Sequence, residues 1–118
     1  MIRLVVATLA LVGTVACTPT VGDPCELTRQ CGTTLTCDTT YPEGYCLKVG
    51  CRAGECPAEA TCVDFGDENR YCMRSCSPDN ECASNVVCRA APACEGQTTI
   101  DRSQPCSMEA QSFCGVAP

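Results

Sequence analysis

The chain has 118 residues, fifteen of them cysteine, with no histidine and no tryptophan, and a formal charge of −6. Without histidine there is no imidazole to act as a base or a metal ligand, and an acidic surface of interspersed charges repels nucleic acid and anionic head groups. From Cys17 onward only a dozen Ile, Leu, Val and Phe side chains are spread over 102 residues; that is too few for an ordinary apolar core, so covalent cross-links are expected to replace it.

In chain order, the first predicted element is an N-terminal helix over residues 1–16. It carries one charge, Arg3, then an uncharged apolar run from Leu4 that closes on small residues. Thirteen residues of helix reach only about 20 Å, short of the roughly 30 Å of a bilayer. This is the layout of a secretory signal peptide, which is removed and takes no part in the mature fold. The run ends on "TVAC", Thr14 to Cys17, which resembles the lipobox of a bacterial lipoprotein signal. Val15, Ala16 and Cys17 match; Thr14 departs, since that family favours Leu there. The resemblance implies cleavage before Cys17, a diacylglycerol on its sulfur and an acyl chain on its new amino terminus, a stable attachment to a membrane. It also implies an exported, outer-membrane or cell-surface location, because Thr18 and not Asp follows the cysteine.

Parity supports the same reading. An oxidising compartment pairs its thiols, and setting Cys17 aside leaves fourteen. The alternatives are a plain free thiol at Cys17 or a bridge to another molecule. Residues 18–24, "TPTVGDP", read as a tether that extends to at most about 25 Å.

Residues 25–118 read as one disulfide-rich domain of three tandem cysteine units, at about 25–50, 51–75 and 76–118. The first is "CELTRQCGTTLTCDTTYPEGYCLKVG" and the second "CRAGECPAEATCVDFGDENRYCMRS". The third opens as "CSPDNECASNVVCRAAPAC" and then decays, with Cys106 and Cys114 following a longer loop. Each has a C-x4/5-C-x5-C frame, and in the first two a fourth cysteine sits in a matching "YCLK" or "YCMR" tail. A period near 25 residues marks an internal repeat. β-Favouring pairs before the third cysteine (Leu35-Thr36, Ala60-Thr61, Val86-Val87) predict short strands, and "DTTYPEGY" and "DFGDENRY" predict turns. The fold class expected is therefore small and disulfide-rich, made of short β-hairpins and loops with few helices after residue 16. The bridging cysteines are Cys25, Cys31, Cys37, Cys46, Cys51, Cys56, Cys62, Cys72, Cys76, Cys82, Cys88, Cys94, Cys106 and Cys114. Fourteen cysteines allow on the order of 10⁵ pairings; the one expected here joins first to third and second to fourth within each unit.

The spacing resembles the short cysteine-rich repeats of secreted and surface proteins of myxobacteria. The "CSPDNEC" opening at Cys76 also resembles the Dickkopf N-terminal cysteine-rich motif. Epidermal-growth-factor modules need a C-x-C step and whey-acidic modules need adjacent cysteines, and this chain has neither.

Little else points to chemistry. The sequence holds no C-x2-C pair of the kind zinc sites use, the nearest being Cys72-x3-Cys76. "DFGDEN", residues 64–69, offers carboxylates without the EF-hand spacing. No G-x-S-x-G or P-loop is present, and Asp67 and Glu68 sit in a turn. The expectation is a non-enzymatic cell-envelope lipoprotein with a structural or protein-interaction role, no cofactor and no metal. Its partners would be the membrane, through the lipid, and a protein the sequence does not name, but not nucleic acid. Two alternatives stay open. One is a serine protease inhibitor presenting Arg102 on the loop of residues 95–105 between Cys94 and Cys106. The other is a metal-binding cysteine-rich protein. Tyr41, Tyr45, Phe65, Tyr71 and Phe113 are the large side chains that could anchor a partner.

Overall fold

A computed structural model describes residues 18–77, 82–83 and 86–117. The expected signal helix and Cys17 lie outside the described residues.

Among the described residues, two sheets and one 3-10 turn, Thr28–Cys31, make up the regular structure. The strands are β1 (Thr36–Asp38), β2 (Tyr45–Val49), β3 (Ala60–Asp64), β4 (Arg70–Arg74), β5 (Val87–Arg89), β6 (Cys106–Ser107) and β7 (Phe113–Gly115). The first sheet runs β1-β2-β4-β3-β6 and the second pairs β5 with β7, all antiparallel. Short strands, turns and almost no helix agree with the sequence expectation. β1, β3 and β5 begin within the β-favouring pairs noted above.

Seven disulfides join all fourteen cysteines from Cys25 to Cys114. Cys25–Cys37, Cys31–Cys46, Cys51–Cys62, Cys56–Cys72 and Cys76–Cys88 follow the expected pairing. The expected Cys82–Cys94 bridge does not form: Cys82 reaches on to Cys114, and Cys94 closes its own loop with Cys106. The physical reason is strand register. Cys37 stands opposite Cys46, Cys62 opposite Cys72, and Cys88 opposite Cys114. Residues directly opposite have Cβ atoms about 4.5–5.5 Å apart, wider than the 3.5–4.5 Å a bridge prefers. Each of these six cysteines instead ties back to the loop preceding its hairpin. Cys114 holds the place across from Cys88, so it, and not Cys94, takes Cys82.

Sulfur is the main core material. Among the described residues, eight of the fifteen buried hydrophobic ones are cysteine; the others are Val21, Leu35, Tyr45, Leu47, Val63, Met73 and Phe113. Tyr45 is the largest of the fully buried side chains. Its hydroxyl donates to the Cys114 carbonyl at 2.9 Å and accepts the Arg74 N–H at 2.9 Å, so one phenol ties β2 to β4 and β7.

The tether expected over residues 18–24 is not free chain from Thr20 onward. Val21 is 0% exposed. The Gly22 N–H donates to the Cys46 carbonyl at 2.8 Å, and the Cys46 N–H returns a bond to the Asp23 carbonyl at 2.9 Å. The Arg74 guanidinium donates to the Thr20 hydroxyl and the Val21 carbonyl. A lone valine in a polar stretch gives no periodic signal, which is why the sequence reads as a linker here.

Candidate functional site

The turns decide where the remaining aromatic side chains go. Between β1 and β2, Pro42 and Glu43 are the central residues of a turn closed by the Gly44 N–H on the Tyr41 carbonyl at 3.0 Å. Glu43 has φ 64°, the left-handed value a type II turn requires at that place. Gly44, at φ 77°, is irreplaceable for space as well: a Cβ there would stand 1.8 Å from the Cys25 carbonyl oxygen. Between β3 and β4, Asp67 and Glu68 have φ 53° and 63°, and the Asn69 N–H donates to the Gly66 carbonyl at 2.9 Å. Positive φ at both central residues defines a type I′ hairpin turn. These two turns set Tyr41 and Phe65 beside the same face of the sheet.

That face carries an open concavity of about 330 Å³, lined by Tyr41, Phe65, Tyr71, Leu47 and Met73, with Asp38, Thr40, Arg102 and Val116 also on its walls. Leu47 and Met73 are buried and form its floor; the three aromatic rings are partly exposed. Phe65 packs on Tyr71 and edge-on against Phe113, with ring centres 5.8 Å apart in both pairs. The Arg89 guanidinium lies 5.5 Å from the centre of the Phe113 ring, within cation–π range. Tyr41 packs on the buried Tyr45, ring centres 4.9 Å apart.

The electrostatics of the concavity are mixed. Burial pushes the Tyr41 hydroxyl above its ordinary pKa, and the Asp38 charge and Tyr71 push the same way. Arg89 and Arg102 oppose them. One Asp38 oxygen, Oδ1, already accepts the Thr40 N–H and hydroxyl, at 2.9 and 2.6 Å. Among the described residues the ion pair is Arg70 with Asp64, at 3.0 Å, and none of them forms a salt bridge with Arg102 or Asp38.

The loop of residues 95–105 is clamped by Cys94–Cys106 as the inhibitor alternative requires. It lies against the body of the protein, with the Ile100 carbonyl so close to Gly66 that a Cβ there would stand 2.4 Å from its oxygen. Asp101 shapes its tip, accepting from the Ser103 hydroxyl, the Gln104 N–H and the Ser103 N–H; these donors, in that order, hold its pKa below the ordinary range. Arg102 is exposed and forms part of the concavity wall.

The metal alternative meets its thiols in bonded form. Three groups of sulfurs gather within 4.8 Å of one another: Cys25, Cys31 and Cys37; Cys51, Cys56 and Cys72; and Cys76, Cys82 and Cys114. Each is one disulfide and one sulfur of a neighbouring bridge, and a disulfide sulfur has no thiolate to offer a metal. In "DFGDEN", Asp64 is buried and takes the Gly66 N–H and Arg70, while Asp67 and Glu68 sit exposed at the turn.

Of the five large side chains singled out from sequence, Tyr45 and Phe113 are consumed by the core, and Tyr41, Phe65 and Tyr71 meet in one hollow. Leu47, Met73 and Asp38 join them unannounced, since only the sheet pairing brings residues so far apart in sequence onto one face.

A polar cluster beneath the opposite edge of the sheet is structural. The Glu109 carboxylate accepts the Gly54 N–H at 2.9 Å, the Thr61 hydroxyl at 2.7 Å and the Cys62 N–H at 3.0 Å. Thr61 has one proton and gives it to Glu109, so Ser107, 2.6 Å away, is the donor to Thr61.

Fold and bridges together define a small cysteine-rich, disulfide-bonded protein of the kind found outside reducing compartments. Among the described residues no helix is long and apolar enough to cross a membrane. No protein-family model matches the chain, and no curated protein or solved structure is significantly similar to it.

Proposed function

We propose that this chain is an exported, lipid-anchored protein of the bacterial cell envelope, non-enzymatic, with a structural or protein-interaction role. The observation that carries the reading is the sulfur count: seven bridges use fourteen of the fifteen cysteines and leave Cys17 over, at the end of a signal-like segment. A leftover thiol in an oxidising compartment calls for a purpose, and acylation of Cys17 supplies one. The body of the protein is then three tandem cysteine units, each a hairpin with opposed cysteines bridged to the loop before it, the third interrupted by the Cys94–Cys106 loop. The repeated register of Cys37 with Cys46, Cys62 with Cys72 and Cys88 with Cys114 supports that division.

Intact mass measurement of membrane-extracted protein, before and after reduction, tests the proposal. The expected mass starts at Cys17, carries acyl groups, and gains two hydrogens for each of seven bridges on reduction. Cys17→Ser is expected to release the protein from the membrane fraction. An unacylated, water-soluble native protein overturns the anchoring.

A further inference from the structure

The concavity walled by Tyr41, Phe65 and Tyr71 combines features that a merely structural face has no use for. Its floor is apolar, its walls are aromatic, and its size falls at the lower end of small-ligand pockets. Arg102 stands on its wall without a carboxylate partner among the described residues, and Arg89 lies over the Phe113 ring that packs against Phe65. Asp38 lines the same hollow with one oxygen bonded to Thr40. In a chain of net charge −6, an arginine with no ion pair among the described residues, at the wall of an aromatic hollow, points to an anionic group carried beside an apolar one.

We propose that this concavity binds the C-terminal aromatic residue of a partner peptide, the ring entering among Tyr41, Phe65 and Tyr71 and the terminal carboxylate pairing with Arg102. The ring gains aromatic contacts and leaves water. The carboxylate gains a charge-assisted bond to a guanidinium. The Asp38 oxygen that Thr40 leaves open accepts the N–H of the same residue. Asp38 also repels the carboxylate, which turns it toward Arg102 and fixes the direction of the peptide. The hollow suits one large residue and not a run of chain, which is why a chain end is the occupant. The inference deepens the interaction reading given above by naming the chemistry of the partner.

The protein has no tryptophan, so an indole probe can be read by fluorescence without background. N-acetyl-L-tryptophan, which mimics a C-terminal tryptophan, and its neutral analogue N-acetyl-L-tryptophanamide are titrated with the oxidised protein. The acid is expected to bind about tenfold more tightly than the amide, as a charge-assisted pair to arginine implies. Arg102→Gln is expected to erase that preference while leaving the amide unchanged. Phe65→Leu weakens both probes severalfold, with NMR dispersion and free-thiol count confirming an intact fold. Equal affinity for acid and amide, tighter binding of the cation tryptophanamide, or no saturable change at millimolar protein each overturns the proposal. The probes are soluble and need no anchor. Their failure leaves the lipid-anchoring reading standing, and an unacylated protein that binds the acid leaves this one standing.

Discussion

Tyr45→Phe keeps the ring in place and removes only the oxygen that joins β2 to β4 and β7. The Cys114 carbonyl and the Arg74 N–H, 2.9 Å from that oxygen, lose their partner. Leaving buried polar groups unpaired costs about 1–3 kcal/mol, and urea unfolding with the bridges intact is expected to show that loss. Glu109 gives the acid limb of stability. Partial burial works against its charge, but the donors from Gly54, Thr61 and Cys62 outweigh burial and hold its pKa below the ordinary 4.5. A depressed carboxylate contributes stability that is complete above its unfolded value and is lost as pH falls through the folded one. The thermal midpoint is therefore expected to drop with acid below that ordinary value, and Glu109→Gln to flatten the drop. Neither role was legible in the sequence. Tyr45 does stand in a repeated "YC" tail, yet its acceptor is 69 residues away; Glu109 is one acid among fourteen Asp and Glu. Residue identity shows that a partner is needed and not where it lies.

Hairpins and their turns are the elements that could be read in advance. Strand-favouring pairs and Pro, Gly, Asp and Asn act locally, so the positions of β1 to β5 follow from short stretches of chain. The same local chemistry predicts a gain. Glu68, at φ 63°, occupies a place in a type I′ turn that favours glycine, and asparagine after it. Glu68→Gly removes the left-handed strain and is expected to stabilise the β3–β4 hairpin by roughly 0.5–1 kcal/mol, seen as a higher denaturation midpoint. Pairing of cysteines was half legible for the same reason. Within a hairpin and its preceding loop the spacing suffices, whereas Cys82–Cys114 spans 32 residues and an inserted loop. The docking of Val21 on β2 and the meeting of Tyr41, Phe65 and Tyr71 depend on which strands become neighbours, which short strands with little alternation do not announce.

For the molecule as a whole, cross-links dominate because so little else is buried. Each bridge closing a loop of this length contributes about 2–4 kcal/mol, while among the described residues seven buried hydrophobic side chains are not cysteine. Strong reductant is therefore expected to abolish NMR dispersion throughout the protein. A reduced form that keeps native dispersion contradicts a sulfur-built core.

The position of β7 has a temporal consequence. A growing chain delivers Val21 and Tyr45 well before Cys114. Yet Cys114 accepts the Tyr45 hydroxyl and takes the Cys82 bridge, and Phe113 packs on Phe65. The hairpins that come first in the chain therefore stay incompletely closed until β7 has docked. A chain cut just before Phe113 is expected to leave Cys82 without its bridge partner, a thiol that alkylation would count.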